Sequence, residues 1–299
     1  MSRHEFLTVD VFTATRFGGN PLAVFPDARG IPEAALAALA AEFNLSEATF
    51  VLPPEDPAHT ARVRIFGPRE ELPFAGHPNV GTAFVLAHRQ PNPPARFLFE
   101  EPAGLVAVDL LRDASGTVTG ARVAAPRPLT VAAEVPPDII AACAGLTAAE
   151  IVTALHPPAI ASVGMPFAIA EVADIAALAR AAPDLAALRA AATRFPAAPG
   201  FKLLLHCRPG ADPTRRRVRM FAPLSGVTED PATGSAAAAL VALLLARSQE
   251  ASATLDIDQG EALGRPSRIE AAARRAPDGA IIATVAGSCV PVLTGYARL

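Results

Sequence analysis

An α+β fold built from one unit used twice is what this 299-residue sequence predicts, and three observations carry that prediction. The first is an internal echo. Arg64-Ile65-Phe66-Gly67-Pro68 followed by Gly76-His77-Pro78-Asn79-Val80-Gly81-Thr82-Ala83 parallels Arg219-Met220-Phe221-Ala222-Pro223 followed by Glu229-Asp230-Pro231-Ala232-Thr233-Gly234-Ser235-Ala236. Gly19-Asn20-Pro21-Leu22-Ala23-Val24 likewise parallels Gly164-Met165-Pro166-Phe167-Ala168-Ile169, in the same order along the chain. Ordered self-similarity of this kind signals a repeated structural unit. The second is the apolar run from Ala236 to Ala246, which follows the polar turn and reads as a helix hydrophobic all round, hence buried. The third is the many short alternating segments between Gly and Pro turns, which read as strands.

Taken in order, Glu5 to Phe12 and Leu22 to Phe25 alternate as strands, and Pro32 to Phe43 carries Leu36, Leu39, Ala40 and Phe43 on one helical stripe. The loop Asn44-Leu45-Ser46-Glu47 then leads into strand Ala48 to Leu52, so Glu47 stands where a helix hands over to a strand. Thr60 to Phe66 is a further strand, Val80 to His88 a short apolar helix, and Arg96 to Glu100, Gly104 to Leu111 and Val118 to Ala124 are strands. Pro126 and Pro128 mark a boundary, which gives an N-terminal half over 1–126 and a C-terminal half over 127–287. In the second half, strands at Ile160 to Val163 and Phe167 to Val172 precede helices at Ile175 to Ala181 and Asp184 to Thr193. Strands Phe201 to Cys207 and Arg217 to Phe221 lead to the second polar turn, with Asp230 expected as helix N-cap and Pro231 at the first helical position. Thr254 to Ile257, Ser267 to Ala273 and Ala280 to Val285 complete that half. The last strand, 288–299, is able to join either.

Composition narrows the class. A net charge of -3 with scattered basic residues excludes a nucleic-acid footprint, and the one cluster, Arg215-Arg216-Arg217, is expected as a solvated hairpin turn. No basic segment followed by an apolar one opens the chain, and no run reaches the ~20 apolar residues that span a bilayer, so a cytoplasmic protein with no membrane partner is expected. Cys143, Cys207 and Cys289 are odd in number and far apart, which fits reduced core thiols and gives no metal site.

Helix N-termini present unpaired N–H groups that orient a carboxylate, so two of them facing a cleft between the halves suit a small anionic ligand. Glu47 reads either as a solvated loop carboxylate or as an active-site acid/base at an element junction. His77 is a poor cap and so invites a second reason for its imidazole. Gly81 and Gly234, in the first turns of helices where Gly is unfavourable, fit close approach of a ligand or tight packing.

At these residues the sequence resembles a known family. Asn44-Leu45-Ser46-Glu47-Ala48-Thr49-Phe50-Val51, Glu71-Leu72-Pro73-Phe74-Ala75-Gly76-His77-Pro78 and Asp230-Pro231-Ala232-Thr233-Gly234-Ser235-Ala236 resemble the PhzF-like isomerases of phenazine biosynthesis, over essentially the whole chain. The resemblance implies the diaminopimelate epimerase-like fold, in which each of two similar halves is a mostly antiparallel sheet curled round a central helix. It also implies a homodimer that works without a cofactor on a small carboxylate substrate. It implies Glu47 as general acid/base, His77 and Asp230 as its catalytic partners, and Asn20, Ser46, Gly76, Gly234 and Ser235 as substrate-binding positions. Epimerases of this superfold carry a cysteine at each central turn, where this chain has Gly76-His77 and Glu229-Asp230. The expected reaction is therefore a proton shift on a conjugated carboxylate, similar to that of trans-2,3-dihydro-3-hydroxyanthranilate isomerase. The alternatives are a cysteine-independent epimerase or racemase of a small amino or hydroxy acid, and a non-catalytic binding protein on the same fold.

Overall fold

A computed structural model describes residues 2–68 and 70–299 and divides the chain into two compact units, 1–126 with 286–299, and 127–285. In the first unit β1 (Arg3–Val11) pairs antiparallel with β2 (Asn20–Phe25) and with residues 289–298 of the chain's last strand. β2 runs parallel to β3 (Glu47–Leu52), which is antiparallel to β4 (Ala61–Phe66). β4 then takes the two-residue β5 (Glu71–Leu72) antiparallel and β6 (Arg96–Glu101) parallel. The meander ends with β7 (Gly104–Arg112) and β8 (Val118–Ala124). Helix α1 (Glu33–Phe43) covers one face of this sheet, over Ala23, Phe25, Ala48, Phe50 and Phe66. The other face wraps helix α2 (Gly76–His88), which touches β1, β2, β3, β7 and β8.

The second unit repeats this order of pairings on its own strands. After β9 (Thr130–Glu134), α3 (Pro137–Ala144) and β10 (Ile151–Val152), β11 (Ala159–Ser162) is antiparallel to β12 (Pro166–Val172). β12 is parallel to β13 (Leu203–Cys207), and β13 is antiparallel to β14 (Arg215–Ala222). β14 takes β15 (Val227–Asp230) antiparallel and β16 (Ser252–Gln259) parallel, and β16 is antiparallel to β17 (Ser267–Arg275). Helices α3, α4 (Ile175–Arg180) and α5 (Leu185–Arg194) cover one face. Helix α6 (Gly234–Ala246) packs on β11, β12, β16 and β17, with Leu240, Val241, Leu243 and Leu245 all at 0% exposure. Each such side chain contributes ~1.5–3 kcal/mol on burial, which is why a run apolar on every side folds here as a central helix.

Several local expectations are corrected. Asp230 is not a helix N-cap: it ends β15, opposite Met220, and Thr233 stands at the cap of α6. His77 is not at a cap either, because α2 starts at Gly76, four residues before the predicted Val80, behind an extended Ala75. The Arg215-Arg216-Arg217 cluster is strand, not turn, because it pairs with the parallel β16, and that strand with the turn after it sets carboxylates beside alternate arginines. Arg215 reaches Asp258 at 2.6 Å, Arg217 reaches Glu261 at 2.8 Å, and the buried Arg216 donates to the carbonyls of Pro213 and Arg215. The segments expected as Ala280–Val285 and 288–299 form one continuous strand, β18 (Ile281–Arg298), in which no glycine takes a positive φ. All three cysteines are free and buried, and among the described residues no helix is long and apolar enough to cross a membrane.

Candidate active site

In the first unit the site begins with a helix stop. Asn44 adopts the left-handed conformation (φ 50°) as C-cap of α1, its N–H returning to Ala41 O, and the chain leaves the helix so that Glu47 is the first residue of β3. Ala48 and Phe50 point to the α1 face, so alternation turns Glu47 and Thr49 toward α2. Thr49 Oγ1 meets Thr82 Oγ1 of α2 at 2.8 Å, and Glu47 Oε2 lies 3.4 Å from His77 Nε2 in the first turn of that helix.

A chain of side chains holds this pair. Ser46 Oγ donates to Asn20 Oδ1 at 3.4 Å, and Asn20 Nδ2 reaches His77 Nδ1 at 3.5 Å. An amide nitrogen can only donate, so Nδ1 of His77 is the acceptor and its ring proton sits on Nε2, toward Glu47. His77 is 4% exposed, and burial pushes its pKa down to about 3. The imidazole is therefore neutral near pH 7, and Glu47 faces a dipole rather than a cation. Glu47 keeps a side-chain exposure of 17%, while its Oε2 is buried on the His77 side. Asn20 is at 0% exposure, with its side-chain amide directed at His77.

In the second unit Asp230, Gly234 and Ser235 lie together where β15 turns into α6. Thr233 Oγ1 donates to Asp230 Oδ2 at 2.5 Å, which is why the N-cap residue makes no side-chain bond to its own helix. Gln259, at the end of β16, bonds to both ends of the turn: Thr233 N donates to its Oε1 at 3.0 Å, and its Nε2 donates to Asp230 O at 2.8 Å. Ser235 is half-buried in the first turn of α6. Among the described residues no three His, Cys, Asp or Glu side chains are grouped as metal ligands.

A comparison with known families matches residues 9–295 to the phenazine biosynthesis-like proteins. The chain belongs to this family. It is 39% identical over 274 residues to an uncharacterized isomerase of Mesorhizobium japonicum, a match covering 90% of each chain. It is 37% identical over 266 residues to the trans-2,3-dihydro-3-hydroxyanthranilate isomerase of Pseudomonas fluorescens, covering 88% of each. The fold is likewise that of the PhzF-family protein of Bacillus anthracis, with a TM-score of 0.87 over the whole of both chains at 21% identity. The protein is an isomerase of this family.

Each of the two helix entries in this family member gathers its own set of the residues singled out in the sequence: Asn20, Ser46, Glu47, Gly76 and His77 at α2, and Asp230, Gly234 and Ser235 at α6. Thr233, Gln259 and the Thr49–Thr82 pair were not legible beforehand. Gln259 lies 29 residues from Asp230 along the chain, and no spacing rule connects a strand end to a turn that far away.

Proposed function

We propose that this isomerase moves a proton on a small conjugated carboxylate, with Glu47 as the single acid/base and no cofactor. The observation that carries the reading is Glu47 Oε2 set 3.4 Å from a neutral, buried His77 at a helix start. Glu47 as carboxylate takes a proton from a carbon. The electron pair left behind spreads through the conjugated system, and the protonated Glu47 returns the proton to another carbon of that system. A cationic His77 would pair with Glu47 and weaken it as a base. The neutral ring orients the carboxylate and leaves it basic.

General acid/base catalysis supplies ~10²–10⁴, or about 3–5.5 kcal/mol, whereas enzymes commonly lower barriers by at least ~8 kcal/mol. Positioning and charge stabilisation supply the rest, and the N-terminal N–H groups of α2 and α6, with Asp230 and Ser235, are the groups suited to it. We take Asp230, Gly234 and Ser235 to serve the same reaction as Glu47 and His77, in a duplicated fold of diaminopimelate epimerase type acting as a homodimer. The shared order of strand pairings supports the duplication. The curated relative's name supports trans-2,3-dihydro-3-hydroxyanthranilate as the first substrate to try.

One observation favours a second reading, two-base epimerisation. By the pairing that sets Leu22 opposite Glu47, Lys202, the residue just before β13, takes the place of Glu47 in the second unit, and a lysine side chain is one able to carry a proton. One experiment separates the two. The protein and its Glu47→Gln variant are incubated in D₂O with trans-2,3-dihydro-3-hydroxyanthranilate and a panel of small unsaturated amino and hydroxy acids, and C–H loss is followed by NMR. We expect deuterium uptake with double-bond migration, lowered at least ~10² in the variant. Uptake at an α-carbon without migration favours the epimerase, and a variant as fast as the parent removes Glu47 from the reaction.

A further inference from the structure

We infer that Gln259 is a positioning residue for Asp230, acting by fixing the direction of the Thr233 hydroxyl. The inference rests on the reading of Asp230 as part of the reaction.

The side chain of Gln259 is 2% exposed and uses its whole amide on one turn. Its Oε1 accepts from Thr233 N at 3.0 Å, and its Nε2 donates to Asp230 O at 2.8 Å and to Thr233 Oγ1 at 3.1 Å. A reversed amide would set a donor against the Thr233 N–H and an acceptor against the Asp230 carbonyl, so only one orientation fits. Because Nε2 can only donate, Thr233 Oγ1 is the acceptor of that bond. The single hydroxyl proton is then left for Asp230 Oδ2, 2.5 Å away. Gln259 thus compels Thr233 to donate to Asp230, which favours the ionised carboxylate and holds it in one place.

The hairpin that carries Gln259 is built for this contact. Gln259 and Ser267 face each other across β16 and β17, and Ser267 Oγ donates to Pro231 O at 3.0 Å, so both strand ends grip the turn between Asp230 and Thr233. Gly260 follows at φ 81°, and a Cβ there would stand 2.5 Å from Pro231 O. Backbone and side chain together bring Gln259 in under the turn. Leu72, the residue that stands opposite β4 as Asp230 stands opposite β14, has no carboxylate to be positioned.

The test compares Gln259→Leu, Thr233→Val, Thr233→Ser and the Gln259→Leu/Thr233→Val double variant. The ¹³C titration of the Asp230 carboxyl, assigned by its loss in Asp230→Asn, reports on the contact without any turnover. We expect the midpoint to rise by ~1 unit in Gln259→Leu and in Thr233→Val, to rise no further in the double variant, and to stay at the parent value in Thr233→Ser, which keeps the hydroxyl. In turnover kcat should fall ~10-fold in the first two variants with KM within about two-fold, and Thr233→Ser should retain the parent rate. A Gln259→Leu protein with the parent midpoint, or a double variant whose shift is the sum of the singles, overturns the inference. A parent protein that exchanges deuterium with no substrate sinks the proposed reaction instead, and the midpoints still decide whether Gln259 acts on Asp230.

Discussion

The entries to α2 and α6 start alike and end differently. In both, an arginine lies over a phenylalanine two residues on, Arg64 over Phe66 at 5.0 Å and Arg219 over Phe221 at 4.8 Å. In both, that arginine grips a glutamate by a two-pronged bond, Glu71 at 2.7 and 2.6 Å and Glu229 at 2.8 and 2.7 Å. From there Glu71-Leu72-Pro73-Phe74-Ala75-Gly76-His77 matches Glu229-Asp230-Pro231-Ala232-Thr233-Gly234-Ser235, and each glycine opens a helix of 13 residues. The structural partner of His77 is therefore Ser235, and that of Asp230 is Leu72. At the α2 entry Glu47 lies 3.4 Å from His77, whereas at the α6 entry Asp230 accepts from Thr233 Oγ1 at 2.5 Å and, through its backbone carbonyl, from Gln259 at 2.8 Å. A carboxylate beside a buried neutral imidazole suits a group that must give and take a proton, and one that accepts a hydroxyl proton at 2.5 Å suits a fixed charge.

The two forks should differ most in stability. Arg219 is 15% exposed, its partner Glu229 10%, and its third nitrogen also donates to the carbonyls of Leu178, Ala179 and Ala181 at the end of α4. Arg64 shares its charge with Glu33, which is 75% exposed. Arg219→Ala strands a buried carboxylate and three helix-end carbonyls, so it should cost about 3 kcal/mol or more in denaturant unfolding. Arg64→Ala should cost about 1 kcal/mol, because water can take over at Glu33. Equal losses would mean that the forks are interchangeable and that their surroundings do not set their worth.

Much of this was legible in the sequence, and the failures have a physical pattern. Periodicity is local, so the segments that became β8, β12, α1 and α6 were visible to within a residue or two, apart from α6's start. Glu47 was visible because a helix stop and a strand start adjoin it. The register between the two turns was not, because the fork spans 7 residues in one unit and 10 in the other. The extra turn at Pro223–Ser225 drew the motif Asp230-Pro231 onto His77-Pro78, where the chemistry looks similar and the geometry is not. Arg216 looks solvated in the sequence for a related reason: its partners are carbonyls of its own bend, and those of its neighbours, Asp258 and Glu261, lie 43 and 44 residues on, so a run of like charge read alone shows none of them.

The neutral imidazole sharpens the comparison next, since the α6 entry has none. His77 in the folded protein stays unprotonated down to about 3, while in the unfolded chain it takes a proton near 6.5. Below pH 6.5 the unfolded state therefore binds more protons, and stability falls as pH falls through that window. Between pH 7 and 5 His77 should account for about 2 kcal/mol of lost stability. His156 and His206 are lowered by burial as well, so the measurement is the difference between the parent and His77→Asn, in which those two are unchanged. Parallel pH–stability curves for the two proteins would show that His77 titrates in the folded protein as it does in the unfolded chain, and would undo the reading of a ring held neutral beside Glu47.

The smallest effect concerns how tightly each helix is gripped. Gly81 of α2 corresponds to Ala239 of α6, and a Cβ at Gly81 would stand 2.6 Å from Leu22 Cδ2 and 2.8 Å from Val11 Cγ2. Gly81→Ala gains about 1 kcal/mol of helix propensity and loses ~1–3 kcal/mol to overpacking, so a net loss of about 1 kcal/mol is expected in thermal or urea unfolding. The contacts are the ends of side chains rather than backbone, which keeps the cost small. If the variant is instead more stable than the parent, those side chains have room to withdraw, and packing no longer explains a glycine in the middle of α2. The explanation would then have to come from the function of the helix, and turnover by the same variant would show it.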